Sequence, residues 1–228
     1  MFASFTLNRF THSRHHAERD DYTQEHSIVM DRPQHLLVVD FEATCSNDGS
    51  LRREEMEIIE VGVVMVDGQT LEPLSEFQSF VRPVRHPRLT AFCTELTSIT
   101  QADVEAAPLF PEVVEQWAAW TEPYAGPVFS SWGKYDHDQL AQDCRFHGIA
   151  MPFTLEPINL KAEFSKRLNQ RRQMGMKEAL ARAGLQLDGT HHRGIDDARN
   201  IAKLLPFIVG EKECPPYEGG KRKRKGQM

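Results

Sequence analysis

Asp40 and Glu42 stand two residues apart, directly after the apolar run Leu36-Leu37-Val38-Val39. In an extended chain that spacing sends both side chains to the same face. Carboxylates this close repel each other unless a cation lies between them. The chemistry they offer is therefore metal binding, and the ordinary alternative is a solvated acidic strand end. Two further acidic pairs lie downstream, Asp136 with Asp138 and Asp196 with Asp197, each at the start of a helical pattern. Acids at such positions can simply complement the helix dipole, so phase must separate the roles. Asp136 falls in line with Leu140 and Cys144, and Asp138 with Gln142 and Arg145. Asp197 falls in line with Ile201, Leu204 and Ile208, and Asp196 with Asn200 and Lys203. Asp136 and Asp197 are thus expected to face inward, where an ionised carboxylate is costly unless paired or bound to a metal. Two histidines precede the last pair, and the expected partner of Asp197, five residues before it, is His192.

The elements that must position these groups read as an alternation of strands and helices. Leu36–Val39 has the character of a central strand covered on both faces and ends at Asp40. Ile58–Val66 is a second strand, closed by the Asp67-Gly68 turn, and Leu74–Val81 a third. Thr100 to Asp103 has the form of a capping box with Asp in place of Glu. Pro111 is placed to open a helix carrying Val113, Val114, Trp117 and Trp120, whose tryptophans read as core. Val128–Trp132 is a fourth strand feeding a helix over 136–146. Further helices are expected over 174–183, stopped by Gly184, and over 196–209. Three strands in a meander followed by alternating α and β imply a three-layer α/β domain with a mixed sheet.

The ends differ from this middle. Residues 1–33 lack a sustained apolar period and read as an N-terminal extension, leaving 34–210 as the domain and 211–228 as a basic tail. Formal net charge is −6, from 27 Lys and Arg against 33 Asp and Glu. Five positives lie in Lys221–Lys225, so the remainder carries 22 against 33, or −11. An acidic body does not coat nucleic acid nonspecifically, and any contact with a polyanion must be local or bridged by cations. The four cysteines show no metal spacing and imply reduced thiols, hence a cytoplasmic setting. No apolar stretch approaches the roughly 18 residues of a membrane helix.

Asp40-Phe41-Glu42-Ala43-Thr44, Asp136 after Ser131-Trp132-Gly133, then His192 and Asp197, resembles the DEDDh family of 3′→5′ exonucleases, across roughly residues 34–210. Within it the chain is similar to the histone-mRNA 3′ exonuclease group and its bacterial single-domain relatives. Arg82-Pro83, Leu96-Thr97-Ser98-Ile99-Thr100 and Phe110-Pro111 share in the likeness. The resemblance implies a ribonuclease-H-like fold with a five-stranded mixed sheet and two divalent ions, Mg²⁺ or Mn²⁺. One ion would be held by Asp40, Glu42 and Asp197, the other chiefly by Asp40 and Asp136, with His192 as general base. It implies a single-stranded nucleic-acid substrate, RNA before DNA, with no membrane partner. Leu96 and Thr97, in the loop before the capping box, would pack on the terminal nucleotide, with Phe41 and Ala43 lining the same pocket; core packing is the plainer role for Phe41 and Leu96. The competing expectations are a catalytically silent nucleic-acid-binding or regulatory protein of this fold, and a phosphodiesterase of short oligonucleotides.

Overall fold

The computed structural model describes residues 32–216, so most of the N-terminal extension and the Lys221–Lys225 run lie outside the described residues. Five strands form one sheet in the order β3-β2-β1-β4-β5. At its centre, β1 (His35–Ala43) pairs antiparallel with β2 (Ile58–Asp67) and parallel with β4 (Val128–Ser131). The edges are β3 (Pro73–Phe80), antiparallel to β2, and the two-residue β5 (Ile158–Asn159), parallel to β4.

The alternation of side chains along β1 divides the core into two halves. Leu37, Val39 and Phe41 face α3 (Phe110–Thr121) and α4 (Tyr135–His147), with Trp117, Phe129 and Leu140. Leu36 and Val38 face α5 (Leu160–Arg167), α6 (Met176–Arg182), α7 (Gly194–Ala202) and α8 (Leu205–Ile208), with Phe164, Leu180 and Ile201. Asp40 and Glu42 continue the second row. A smaller cluster of Ile59, Cys93, Ile99 and Val104 seats α1 (Ala91–Thr97) and α2 (Gln101–Glu105). The expected three-layer α/β architecture is present.

Several local expectations are corrected. The first strand does not end at Asp40. It runs on to Ala43, because β2 continues the ladder through Asp40↔Gly62, Phe41↔Val61 and Glu42↔Glu60. Leu96 and Thr97 belong to the last turn of α1 rather than to a loop; Thr90 caps that helix by accepting from Cys93 N at 3.0 Å. The helix expected over 196–209 is two helices. Pro206 has no N–H to offer the carbonyl four residues back, so the chain breaks after α7 and restarts as α8. β5 is too short to leave a period, and α5 behind it is marked only by Asn159, whose side chain accepts from Ala162 N at 3.0 Å. The capping box is as expected, with Thr100 and Asp103 bonded in both directions.

At both ends of the expected domain the chain is tied down. Arg32 pairs with Glu211 at 2.6 Å, and Lys212 N donates to Pro206 O at 3.0 Å. Among the described residues no helix is long and apolar enough to cross a membrane.

The contact that sets α7 against the sheet is backbone on backbone. A Cβ at Gly62 would lie 2.1 Å from Gly194 C and 2.2 Å from Ile195 N, and one at Gly194 would lie 2.8 Å from Asp40 O. Both glycines are needed for close approach. Gly62→Ala should therefore lower unfolding free energy by about 3 kcal/mol in a urea titration. Gly175→Ala, where a Cβ meets nothing within 4 Å, should stay within about 1 kcal/mol of the parent. Equal effects would mean that the approach is not tight.

Candidate metal centre

Asp40 and Glu42 leave β1 on the face that α7 covers, and α7 supplies Asp197 in its first turn. Single carboxylate oxygens of Asp40, Glu42 and Asp197 all lie within 4.8 Å of one another. Asp136, from the first turn of α4, stands outside that triplet; its Oδ1 accepts the backbone N–H of Phe41 at 3.0 Å. Helical phase sorts the acids of both helices as expected. Asp136 and Asp197 are each 4 % exposed, whereas Asp138 is exposed and Asp196 half-buried. Asp196 instead braces the loop before α7, accepting from Thr190 N at 2.8 Å and pairing with Arg199 at 3.0 Å.

Burial and mutual repulsion act together on the four acids. Burial, then the charge of Asp136, then that of Glu42, raise the Asp40 carboxyl well above its ordinary range. Glu42 is pushed up to about 9 by burial, then by Asp197 and Glu60. Asp136 rises to about 6, burial outweighing the hydrogen bonds from Phe41 and its own backbone. Asp197 is raised by burial against the opposing pull of the His192 amide and His191.

The two histidines divide the contacts to Asp197. The ring of His191, rather than that of His192, approaches the carboxylate, with Nδ1 at 2.9 Å from Oδ2 and 3.2 Å from Oδ1. His192 contributes its backbone N–H, at 3.0 Å from Oδ2. The side-chain pairing expected for His192 is therefore made by its neighbour. His192 has φ 63°, the left-handed region; that turn aims its amide at the carboxylate and stacks its ring on His191, centroids 3.9 Å apart. The His192 ring is half-buried and bonded to no acid among the described residues, and burial, then His191, lower its pKa. His191, His192 and Asp197 also form a compact group of possible ligands.

Of the expected substrate contacts, the structure puts the Phe41 ring in the core, edge-on to Trp117 at 5.9 Å, leaving only its backbone at the centre. Ala43 is buried. Thr97 is fully buried, its hydroxyl donating to Cys93 O at 2.8 Å and accepting from Ile99 N at 3.1 Å. Leu96 is half-buried on α1.

One residue escaped the sequence reading. Glu60 sits opposite Glu42 in the β1–β2 ladder and is fully buried. It accepts from Gln78 at 2.6 Å, Gly194 N at 3.0 Å, and Arg193 Nε at 3.1 Å. Glu60 therefore ties β2 and β3 to the segment carrying His192 and the start of α7. The signal was available: a lone acid inside the β-branched run Ile58–Val66 needs a buried partner.

A five-stranded mixed sheet of this order, with helices on both faces and carboxylates from β1, α4 and α7 gathered at one end, is the ribonuclease-H-like fold. The model of the exonuclease family matches residues 37–205, and the chain belongs to that family, in its DEDDh division. It is 35% identical over 191 residues to human (Homo sapiens) "ERI1 exoribonuclease 3", covering 80% of this chain and 56% of that protein. The chain thus spans about half the length of the first curated relatives it matches. A Bacillus subtilis (strain 168) protein named "Probable 3'-5' exonuclease KapD" is 32% identical over 181 residues, 78% of this chain and 86% of that one. Among solved structures, the nuclease domain of 3'hExo, a DEDDh family member, bound to rAMP, aligns with TM-score 0.73 at 30% identity, covering 79% of this chain and 94% of that one.

The raised carboxyls make metal-free stability depend on pH. Folding holds these protons more tightly than the unfolded chain does, so their contribution is full below the ordinary carboxyl pKa and is lost as pH rises through the native values. Those are about 6 for Asp136 and, away from the centre, Asp143, and about 9 for Glu42. The melting temperature in a chelator should fall between pH 6 and 9, and Mg²⁺ or Mn²⁺ should restore it most at the alkaline end. A flat chelated profile in differential scanning fluorimetry would contradict the repulsion.

Proposed function

We propose that this domain is a metal-dependent 3′→5′ exonuclease that trims single-stranded nucleic acid from its 3′ end, RNA in preference to DNA, releasing nucleoside 5′-monophosphates. The observation that carries the reading is the approach of Asp40, Glu42 and Asp197 within 4.8 Å, with Asp136 close enough to act strongly on Asp40. An all-oxygen, anionic donor set is the chemistry of hard divalent cations. Asp40, Glu42 and Asp197 would hold one cation, and Asp40 with Asp136 a second, Mg²⁺ or Mn²⁺ in each place. When bound, the pair supplies the Lewis acidity that makes water a nucleophile near neutral pH and stabilises the leaving 3′-oxygen.

The chain's own groups do the rest. His192 is the general base: a half-buried imidazole whose pKa is lowered by burial is neutral at neutral pH and free to accept the proton of the attacking water. His191 and the His192 amide fix the Asp197 carboxylate, which keeps the helix-borne ligand aimed at the strand-borne ones. Glu60 and Arg193 hold the loop bearing both histidines to β2. Leu96, half-buried at the end of α1, supplies apolar surface for the terminal nucleotide. A preference for RNA is supported by the human relative's name, by the relative bound to rAMP, and by a structure titled for recognition of a histone mRNA stem-loop by a 3'-exonuclease, 30% identical with TM-score 0.73 over 79% of this chain and 65% of that one. The four free thiols favour a cytoplasmic setting.

A timed digest of 5′-labelled single-stranded RNA and DNA with Mg²⁺, Mn²⁺ or EDTA tests the class and the preference together. The expected result is a ladder shrinking from the 3′ end, faster on RNA and abolished by EDTA; cleavage limited to di- and trinucleotides would make the protein an oligonucleotide phosphodiesterase. Asp136→Asn should cut turnover by on the order of 10²-fold or more through loss of a metal ligand, while Asp138→Asn, on the exposed side of the same turn, should change it little. The histidines give a separate test. His192→Gln should cost about 10²-fold and remove the acid limb of the rate profile, whereas His191→Gln should act chiefly on metal affinity. A larger loss of turnover at saturating Mg²⁺ for His191→Gln would exchange the two roles.

A further inference from the structure

Cys45 and Cys93 are 48 positions apart in the chain but meet beside the metal centre. Cys45 follows the end of β1 by two residues and is half-exposed; Cys93 is buried in the first turn of α1. A single hydroxyl, that of Thr90, anchors both backbones: it donates to Cys45 O at 2.6 Å and accepts from Cys93 N at 3.0 Å. The Cys93 thiol donates to Ala43 O at 3.6 Å, and Cys45 packs against the small cluster that contains Cys93. Cys144 and Cys214 lie elsewhere, in the two core clusters on opposite faces of the sheet.

We infer that Cys45 and Cys93 form a redox-active dithiol, a site of reversible oxidation by hydroperoxides, whose disulfide loosens cation binding at the adjacent centre. The coupling to the cation rests on the metal-dependent reading proposed above; the disulfide itself does not. Only Cys45 is open to solvent, so the oxidant reaches that sulfur. Cys93 pushes the Cys45 thiol up and Cys45 brings the Cys93 thiol down to about 7, so an anion forms first on Cys93, which takes up the Cys45 proton as Cys45 reacts. Cys45 Sγ attacks a peroxide oxygen, the O–O bond breaks, and water leaves with a thiol proton, giving a sulfenic acid. Cys93 Sγ then attacks Cys45 Sγ, the S–O bond breaks, and the hydroxide departs as water with the second thiol proton. Two thiols and one hydrogen peroxide become one disulfide and two waters. A covalent S–S bond of about 2.05 Å is far shorter than the separation of two thiols in packing contact. Forming it draws Cys93 away from Ala43 O and pulls on the end of the strand that carries Glu42, three residues before Cys45.

The full chain, reduced and metal-free, is treated with a small excess of hydrogen peroxide, alkylated and mapped by mass spectrometry. A Cys45–Cys93 peptide pair, lighter by two hydrogens, is expected in the parent, in Cys144→Ser and in Cys214→Ser. It should be absent from Cys45→Ser and Cys93→Ser and be reversed by dithiothreitol. Calorimetric titration with Mn²⁺ should then give an affinity about tenfold weaker for oxidised than for reduced protein, with no difference in Cys45→Ser. Oxidation that spares this pair, or that runs to sulfinic acid without a cross-link, overturns the proposal. A cross-link that leaves Mn²⁺ affinity unchanged overturns the coupling. Absence of Mn²⁺ binding even in the reduced chain would instead sink the metal reading, and the peptide map would still decide the disulfide.

Discussion

Four carboxylates of like charge are held within one small volume, and the surrounding structure works against their repulsion. In water Asp40, Glu42, Asp136 and Asp197 would separate; here two are fixed on one strand and two at the heads of helices that cannot retreat. Burial alone raises the energy of each ionised group, and closeness adds to it. The hydrogen bonds at the centre serve to keep acids in place rather than to neutralise them. The amide of Phe41 holds Asp136, and His191 with the His192 amide holds Asp197. Neither Asp40 nor Glu42 is held by an ion pair or a hydrogen bond among the described residues. Those two carboxylates are left with their attraction for a cation.

The same constraint accounts for the β2–α7 contact. For Asp197 to reach the strand-borne pair, the start of α7 must come closer to the sheet than side chains allow. Gly62 and Gly194 remove the obstacle, and the fully buried Glu60 then receives the Gly194 amide and the Arg193 guanidinium. Glu60 adds another negative charge near Glu42, and Arg193 offsets it. A buried pair of this kind is weak evidence for stability by itself. Its position suits registry: it fixes where α7 begins, and hence where Asp197 points.

How far the sequence revealed this depended on periodicity. Asp136 and Asp197 were separable from Asp138 and Asp196 because a helix buries one side and the apolar residues mark which. The central strand was legible from its unbroken apolar run, but not its length, since the alternating Asp40 and Glu42 look like an end when their covering helix is unknown. Pro206 marked the break between α7 and α8 and was outweighed by the apolar spacing across it. Glu60 is marked as an acid in an apolar run, but its partners were hidden because they lie 18 and more than 130 residues away. The helix α1 was missed because its apolar residues, Phe92, Cys93 and Leu96, are few, and its cap, Thr90, lies among turn residues.

The histidine pair shows where spacing stops being informative. Counting residues singles out His192 as the partner of Asp197, yet backbone direction decides the outcome. A left-handed residue directly before the N-cap of a helix sends its amide, not its side chain, toward the first-turn carboxylate, so the residue preceding it makes the side-chain contact. The count still led to the residue proposed as base, for a different reason. A base that had to bond Asp197 through its ring would have one nitrogen occupied and its charged form stabilised, raising its pKa. Freed of that bond and partly buried, the His192 ring stays neutral, while His191 takes the electrostatic load of the carboxylate. Adjacent residues of one type thus take on opposite roles, and the division follows from a single backbone dihedral.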